Sequence, residues 1–349
     1  STLLVSVLRE LSSDPDQVGF YIPNRIDEGY GLNEDALHYL AGKAKLVITV
    51  DCGIASLREA ALAKELGLDM IITDHHQPGP DLPDAVAVLN PKRPDCSYPE
   101  KQLAGVGVAF RLAQAIGQRH GRNFHEYLDL VALGTVADLV PLLGENRILA
   151  KRGLETMNSN PRCGIQALIE VAGISSKVSA GDLGFRLGPR LNAAGRMSDP
   201  AMAVKLLLSE DPVYARELAK TLDEENAHRQ DVEKRITEEA KEAILSSNAH
   251  QASGIVVAGR DWHPGVIGIV ASRLVEEFYR PTIVISLSNG VGTGSARSIT
   301  GFSMYDALVQ CSHLLDRFGG HTMAAGLTVQ ESNLGDFTNQ FVRLCDETL

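Results

Sequence analysis

The sequence predicts an α/β protein in which a parallel-sheet domain is joined by a long helix to a smaller α/β domain. Short apolar runs at residues 46–53, 68–74 and 85–90 alternate with a helical stretch that ends at Gly67. Strands that are apolar throughout and separated by helices are typical of a parallel sheet covered on both faces. A long polar stretch of helical character at 211–247 then precedes a second set of apolar runs.

The first domain is assigned to residues 1–197. A helix is expected at residues 2–11, where apolar residues recur at helical spacing behind Ser1 or Thr2 as an N-cap. The three predicted strands follow, with the helix "SLREAALAKELG" between the first two. Helical patterns dominate from about 103 to 172, so we expect helices to cover the sheet.

Residues 211–247 are predicted to form one long helix. Asp211 can cap this helix, and Pro212 suits its first turn. Its middle, "DEENAHRQD" at 223–231, contains almost no apolar residues. A helix that is polar on every side is typical of a bridge between domains, so residues 198–249 are assigned to a linker.

The smaller domain is assigned to residues 250–349. The runs "GIVVAG", "PTIVISL" and "AAGLTV" are predicted to be its strands, and the glycine-rich stretches "GVGTGSARS" and "FGGHTMAAG" punctuate them. A chain of 349 residues exceeds one comfortable core, which also favours two domains.

Composition bounds the class of protein. The five cysteines form no C-x-x-C pair, which favours a reducing compartment, and no apolar run is long enough to span a bilayer. We find no secretory signal and expect a cytoplasmic protein. The net charge is −11, yet residues 151–200 are net basic and contain Arg186, Arg190 and Arg196. Charge alone therefore leaves the partner undecided.

Metal-binding side chains follow two neighbouring predicted strands. Asp51 ends the first strand, and Asp74, His75 and His76 end the next. Because ligands of open α/β sheets bind beyond the carboxyl ends of the strands, these side chains should converge. Carboxylate and imidazole ligands suit Mn²⁺, Co²⁺ or Zn²⁺. Asp138 adds a third carboxylate in an apolar stretch, so the set fits a two-metal site for phosphoryl transfer.

Each of these residues also has an ordinary interpretation. Asp51 could cap the following helix, Asp138 could accept backbone hydrogen bonds, and the two histidines could be exposed in a turn. The joint occurrence of Asp-His-His after one buried strand and Asp after its neighbour favours the metal site.

Several blocks resemble the DHH phosphoesterase family. "ITVDCG", "TDHH" and "ALGTVADLVPL" resemble its metal-binding motifs. An ordered series over nearly the whole chain resembles the branch that contains the single-strand-specific 5′→3′ DNA exonucleases. The series comprises "IPNRIDEGYGL" (22–32), "LAGVGVAF" (103–110), "LGPRLNAAGR" (187–196), "WHPGVIGIVASR" (262–273), "GSARS" (294–298) and "FGGHTMAAG" (318–326).

The resemblance implies a centre that binds Mn²⁺ or Mg²⁺. Asp51 would bridge two ions, and His75 and Asp138 would hold one of them. His76 would face the phosphate, and Asp74 would orient its neighbours, although Asp74 could equally be a turn cap. The family's first motif, a D-x-D-x-D-G loop, precedes the helix that opens this chain. We therefore expect a core fragment whose second ion lacks most of its ligands and whose first is weakly held.

The resemblance also implies a substrate site. Arg196, Ser295 and Arg297 would bind a 5′-terminal phosphate, because guanidinium groups pair bidentately with phosphate and glycine-rich loops present N–H groups. His321 could contact the scissile phosphate or cap a turn, and Asn192 is a weaker candidate. Arg196 could instead form a salt bridge.

Two aromatic side chains of the second domain have two interpretations. Trp262 and His263 could stack on a base, whereas a single tryptophan is more often a core residue.

The activity that the resemblance implies is metal-dependent release of 5′-mononucleotides from single-stranded DNA that carries a 5′ phosphate. A monomer without membrane contact is expected, and helicases and single-strand-binding protein are candidate partners. Alternatives are a DHH phosphodiesterase for oligoribonucleotides or cyclic dinucleotides, a non-catalytic nucleic-acid-binding scaffold, and a metal-dependent phosphatase or pyrophosphatase.

Overall fold

The computed structural model describes residues 1–24 and 31–349. The block "IPNRIDEGYGL" lies partly outside the described residues. The chain divides into two compact units, unit 1 (Ser1–Asn226) and unit 2 (Ala227–Leu349). This division falls within the predicted linker 198–249, and the predicted domain boundaries themselves stay predictions.

Unit 1 contains a parallel sheet and the helices that cover it. Its strands are β1 (Leu46–Val50), β2 (Asp69–Thr73) and β3 (Ala87–Leu89). Its helices are α1 (Thr2–Leu11), α2 (Glu34–Ala41), α3 (Leu57–Glu65), α4 (Gly105–Gln118), α5 (Leu128–Ala137), α6 (Gly144–Ser159), α7 (Cys163–Val171), α8 (Ala180–Asp182), α9 (Gly188–Met197) and α10 (Ala201–Leu208), followed by α11 (Pro212–Ser246), which runs on into unit 2.

The predicted parallel sheet is confirmed. Its order is β1-β2-β3, with Val50 paired to Thr73 and Thr73 paired to Leu89. Side chains of one face, including Ile48, pack into the larger core, and those of the other face, including Ile72, pack into a smaller core with α2 and α3. Burial of both faces explains the continuous apolar runs. Because the strands are parallel and in register, the residues after them meet at one edge.

Helix α5 is apolar on every side because it lies inside the larger core, between α4 and α6. Its approach to α6 depends on Gly153, where a Cβ atom would lie 2.0 Å from the Leu128 carbonyl oxygen and 2.5 Å from the Ala132 Cβ. No side chain fits between these two backbones without moving one of the helices.

We predict that Gly153→Ala destabilises the protein by about 1–3 kcal/mol or more, because the added methyl group forces α5 and α6 apart. The measurement is denaturant unfolding followed by circular dichroism. Gly335→Ala on α14 (Leu334–Thr348) is the matched control, since a Cβ there meets nothing within 4 Å. Equal stabilities of the two variants would contradict the close approach of the helices.

The long helix α11 matches its prediction at both ends, and Asp211 caps it by accepting a 2.8 Å hydrogen bond from the Val213 N–H. Its polar middle is not fully exposed, because Asn226 and Arg229 are buried, as is Glu233 just after it. Arg229 and Glu233 form an ion pair, which offsets part of the cost of burying them. The polarity of the sequence therefore did not indicate that these side chains are buried.

Unit 2 contains a mixed five-stranded sheet. Its strands are β4 (Ile255–Arg260), β5 (Thr282–Ser288), β6 (Val291–Arg297), β7 (Arg317–His321) and β8 (Ala324–Gln330), in the order β4-β5-β6-β8-β7. Its other helices are α12 (Pro264–Phe278), α13 (Met304–Gln310) and α14. Strands β4 and β5 pair in parallel, whereas the remaining pairs are antiparallel.

The glycine-rich stretches of unit 2 are strands β6 and β7 rather than punctuation between strands. Glycine is needed here because a Cβ on Gly292 would lie 2.7 Å from Ile285, and a Cβ on Gly294 would lie 2.8 Å from Leu327. Glycine within a strand often marks such a close approach. Among the residues that the structure describes, no helix has both the length and the apolar character needed to cross a membrane.

Candidate functional site

Asp51, the residue directly after β1, has an unusual backbone conformation. Its φ of 66° lies in the left-handed region, which aspartate tolerates better than most residues. The Asp51 N–H donates to the Thr73 carbonyl at 2.9 Å, and the Thr49 hydroxyl donates to the Cys52 carbonyl at 2.8 Å. The main chain on both sides of the Asp51 side chain is therefore fixed. Residues held in such conformations are frequent at functional sites.

Asp74 organises the turn after β2. This carboxylate is 1% exposed and accepts hydrogen bonds from the backbone N–H groups of Ile54, His75 and His76 and from the His76 ring. Burial alone would raise the pKa of Asp74, but the hydrogen bonds from His76 and the backbone outweigh it and leave that pKa below its ordinary value. Asp74 thus combines both predicted roles, since it caps the turn and orients His76.

His75 brings the predicted metal ligands together. Its ring is buried, and Nε2 lies 3.0 Å from Asp51 Oδ1 and 3.2 Å from Asp138 Oδ2. Within residues 1–24 and 31–349, neither His75 Nε2 nor Asp138 Oδ2 has a partner in hydrogen-bond geometry. Buried polar atoms rarely remain unsatisfied, so these two atoms, together with the Asp51 carboxylate beside them, point to a cation site.

The charges of the cluster support the same interpretation. Burial raises the pKa of Asp138, and the negative charge of Asp51 raises it further. The two carboxylates both lie beside His75 Nε2, so their negative charges repel each other, and a cation bound by both would remove the repulsion. The cluster therefore fits a divalent ion electrostatically as well as geometrically.

His76 and Cys52 complete the surroundings of this cluster. One ligand atom each from Asp51, His75 and His76 lies within 4.8 Å of the others. The hydrogen bond to Asp74 raises the pKa of His76 and occupies its Nδ1, so Nε2 is the ring atom left to contact an ion or a phosphate. Burial and the nearby carboxylates raise the pKa of Cys52 to about 11, which keeps its thiol protonated. The donors are thus oxygen and nitrogen, which fit Mn²⁺ and tolerate Mg²⁺.

Unit 2 contains a second candidate site on β6. The Arg297 guanidinium donates to the Ser295 hydroxyl at 3.2 Å and to the Ala296 carbonyl at 2.8 Å. Among the described residues, no carboxylate forms an ion pair with Arg297, although burial lowers the pKa of this guanidinium. A half-buried guanidinium without an acidic partner is suited to an external anion such as phosphate.

The sheet register places His321 on the same surface as Arg297. Arg297 pairs with Ala324, and Ala324 pairs with His321. Directly paired residues of antiparallel strands project to the same face, so Arg297 and His321 flank the small Ala324 at about 10 Å, twice the strand spacing. The structure thus brings three of the predicted substrate residues, Ser295, Arg297 and His321, onto one face of one sheet.

The remaining predicted substrate residues lie in unit 1. Asn192 is exposed and Arg196 is half-buried, and both lie on α9. Residues four apart on a helix share a face, so these two side chains can act on the same ligand. Their substrate role stays a prediction.

Trp262 is a core residue, as the alternative interpretation held. It is buried, its Nε1–H donates to Glu239 Oε2 at 2.7 Å, and its ring covers Gly259, where a Cβ would lie 2.1 Å from the indole. His263 caps α12 by accepting from the Gly265 N–H at 3.1 Å. Stacking of a base on Trp262 is thereby excluded.

Sequence reasoning missed Asn90 and Gly105. Asn90 directly follows β3, and its side chain donates to the His76 carbonyl at 2.8 Å, which fixes the turn that carries both histidines. The same rule that found Asp51 and Asp74, a polar residue at a strand end, would have found Asn90. Gly105 contacts Asp51 and Asp138, and only the block "LAGVGVAF" pointed to it.

Comparisons with known proteins agree with this arrangement. Residues 1–135 match the DHH family, N-terminal domain, and residues 251–347 match the DHHA1 domain. A DHH-type domain followed by a DHHA1 domain defines a DHH-family protein, and the resemblance in the sequence is confirmed.

Individual relatives show which members of the DHH family the chain resembles. The chain is 47% identical over 353 residues to the single-stranded-DNA-specific exonuclease RecJ of Bacillus subtilis (strain 168), covering 100% of this chain and 44% of that protein. It is 42% identical over 368 residues to the protein of the same name from Escherichia coli (strain K12), covering 99% of this chain and 64% of that protein. The chain therefore spans less than two thirds of these relatives.

Solved structures give the same result. A crystal structure of exonuclease RecJ bound to manganese has a TM-score of 0.87 and 36% identity, covering 99% of this chain and 86% of that chain. RecJ from Thermus thermophilus in complex with Mn²⁺ has a TM-score of 0.86 and 34% identity, covering 99% of this chain and 50% of that chain. The chain belongs to the RecJ family.

Proposed function

We propose that the protein is a divalent-metal-dependent 5′→3′ exonuclease that hydrolyses single-stranded DNA to 5′-mononucleotides. The observation that carries the proposal is the convergence of His75 Nε2 with Asp51 Oδ1 and Asp138 Oδ2 at 3.0 and 3.2 Å. Family membership supports the choice of substrate, because the relatives are named single-stranded-DNA-specific exonucleases.

Asp51, His75 and Asp138 would hold Mn²⁺ or Mg²⁺ in this site. Such an ion stabilises charge on phosphoryl oxygens and lowers the pKa of water, so that hydroxide is available at neutral pH. The buried His75 keeps the spacing of the two carboxylates, and the left-handed turn at Asp51 directs its carboxylate to the shared edge. Whether a second ion takes ligands from an upstream aspartate loop stays a prediction.

His76 is assigned to the phosphate and Asp74 to the orientation of His76. Asp74 accepts from His76 Nδ1 at 2.7 Å, which fixes the ring plane and turns Nε2 away from Asp74. A donor fixed before the substrate arrives needs no reorganisation during the reaction, which is the basis of electrostatic stabilisation of a transition state.

The 5′ phosphate is assigned to unit 2. Arg297 and Ser295 supply donors, and His321 lies on the same face of the sheet, which suits it to a neighbouring phosphate of the strand. Arg196 and Asn192 are assigned to the same strand from α9. Recognition of the phosphate at one end of the strand would account for a 5′→3′ direction of degradation.

The test is Mn²⁺-dependent degradation of a single strand labelled at its 5′ end. The proposal predicts labelled mononucleotide from the first turnover, no release from a blunt duplex, and slow cleavage of a dinucleotide. Cleavage of dinucleotides faster than of the long strand would favour the small-nucleotide phosphodiesterase. Release of free phosphate would favour a phosphatase. Binding of the strand without cleavage would favour a scaffold.

We predict that Arg297→Ala raises the KM for a 5′-phosphorylated strand about 10- to 100-fold, because a charge-assisted hydrogen bond contributes about 1.5–3 kcal/mol. The KM for a 5′-hydroxyl strand should change little. Steady-state kinetics on the two strands measure the difference. Arg343→Ala is the control, since this arginine lies on α14 and pairs with Glu347. An equal rise in KM for both strands would show that Arg297 does not bind the 5′ phosphate.

We further propose a cytoplasmic monomer. The five cysteines are free, which suits a reducing compartment. Helicases and single-strand-binding protein remain candidate partners, and pull-down with the purified proteins tests them.

A further inference from the structure

Gly105 is the first residue of α4, and its position leaves no room for a side chain. A Cβ atom built on Gly105 would lie 2.3 Å from Asp51 Oδ1, 2.6 Å from Asp51 Cγ and 2.9 Å from Asp51 Cβ. The overlap involves the root of the Asp51 side chain as well as its tip. Rotation of the carboxylate alone therefore cannot remove it.

The main chain of Asp51 cannot retreat from such an overlap at low cost. The Asp51 N–H is bonded to the Thr73 carbonyl, and the next carbonyl, that of Cys52, is bonded to the Thr49 hydroxyl. The left-handed φ of Asp51 leaves few alternative conformations. A side chain at position 105 would therefore displace the Asp51 carboxylate from its place beside His75.

The same glycine also contacts the second carboxylate of the cluster. The backbone of Gly105 lowers the pKa of Asp138, the residue directly after α5, which places the Gly105 N–H near this carboxylate. An N–H group in the first turn of a helix has no partner within the helix, so it is available to a nearby carboxylate. Gly105 thus acts on both carboxylates, on Asp138 through its backbone and on Asp51 through the absence of a Cβ.

Helix α4 is a rigid support for this contact. The Ala104 N–H donates to Asn146 Oδ1 at 3.2 Å, which ties the start of α4 to α6. Val108, Ala109 and Phe110 of the next turn are buried in the larger core. The start of α4 therefore cannot shift independently of the core to make room at position 105.

We propose that Gly105 is a positioning residue that fixes the separation of Asp51 and Asp138 and thereby sets the affinity of the site for a divalent cation. The proposal rests on the proposed metal site but adds a residue that itself offers no ligand atom. Residues that orient metal ligands typically change metal affinity by about 10- to 100-fold when replaced.

The test is Mn²⁺ binding by the Gly105→Ala variant, measured as loss of the free-Mn²⁺ signal in electron paramagnetic resonance. We expect the dissociation constant to rise about 10- to 100-fold. The control Gly335→Ala also adds one methyl group to a helix, but in open space, and should bind as the wild type does. Circular dichroism in excess chelator establishes that both variants are folded.

Three outcomes overturn the proposal. A Gly105→Ala variant that binds Mn²⁺ within twofold of the wild type leaves the metal site intact and removes the role of Gly105. An equal loss of binding in Gly335→Ala would show that any added helix methyl group weakens the site. A wild-type protein that takes up no Mn²⁺ overturns the proposed metal site and this proposal together.

A second variant covers the case in which Gly105→Ala does not fold. In the double variant Asp51→Gly, Gly105→Ala, every side-chain atom that overlaps the new methyl group is absent, and glycine tolerates the left-handed φ at position 51. We expect this double variant to fold as well as Asp51→Gly alone, because the two changes are coupled through one contact. Failure to recover the fold would locate the damage away from Asp51 and contradict the proposal.

Discussion

Replacement of Asp51 by asparagine is expected to lower the rate of the proposed exonuclease reaction about 1,000-fold, which corresponds to about 4 kcal/mol of transition-state stabilisation. The substitution keeps the shape of the side chain and its left-handed backbone, which asparagine also tolerates. It removes one negative charge from the cluster around His75 Nε2. The loss should appear in kcat measured at saturating single-stranded DNA, and Mn²⁺ binding should weaken in parallel.

Asp69→Asn is the matched control for this prediction. Asp69 begins β2, the strand whose other end leads to Asp74, and it is exposed. Its replacement changes the net charge by the same amount as Asp51→Asn, yet it should leave the rate within about twofold of the wild type, because exposed charges at a distance are screened. Similar losses in both variants would mean that overall charge, rather than the metal cluster, controls the rate.

Arg162→Met is expected to destabilise unit 1 by about 3–5 kcal/mol. The Arg162 guanidinium forms a two-pronged ion pair with Asp129, with both N–O distances at 2.7 Å. The Asp129 side chain is 2% exposed, so loss of the arginine leaves a buried carboxylate without its cation. Hydrogen exchange of α5, which carries Asp129, measures the effect directly, because its protection reports the local opening free energy.

Arg152→Met is the control for the ion pair. Arg152 pairs with Glu155 on the exposed side of α6, and such surface pairs contribute about 0–1 kcal/mol. Protection of α5 should therefore be nearly unchanged in this variant. If Arg162→Met also left α5 protected as in the wild type, Asp129 would be stabilised by other groups and the buried pair would not support the core.

The sequence predicted that the candidate metal ligands converge, because one simple rule applies to them. Asp51 and Asp74 each follow an apolar strand, and the ends of parallel neighbouring strands must meet. Asp138 was identifiable because a carboxylate in the apolar stretch "GTVADLV" is costly unless it is used. These arguments need only the residue patterns of strands and helices, and those patterns predicted β1, β2 and α11 correctly.

Other features depend on tertiary contacts that periodicity does not contain. Strand β6 was missed because its glycines look like turn residues, whereas they make room for side chains of neighbouring strands. The polar sequence of α11 gave no sign that Glu233 is buried beside Arg229 and Arg273. Gly105 carries no functional group at all, so only its distance to Asp51 reveals it.

Anomalous diffraction from crystals of the protein soaked in Mn²⁺ tests the central claim most directly. The predicted result is a manganese peak at bonding distance from Asp51 Oδ1, His75 Nε2 and Asp138 Oδ2, which is lost from crystals of Asp51→Asn. A fully occupied manganese site elsewhere, with these three side chains unchanged and unliganded, would contradict the assignment of the site and with it the proposed mechanism.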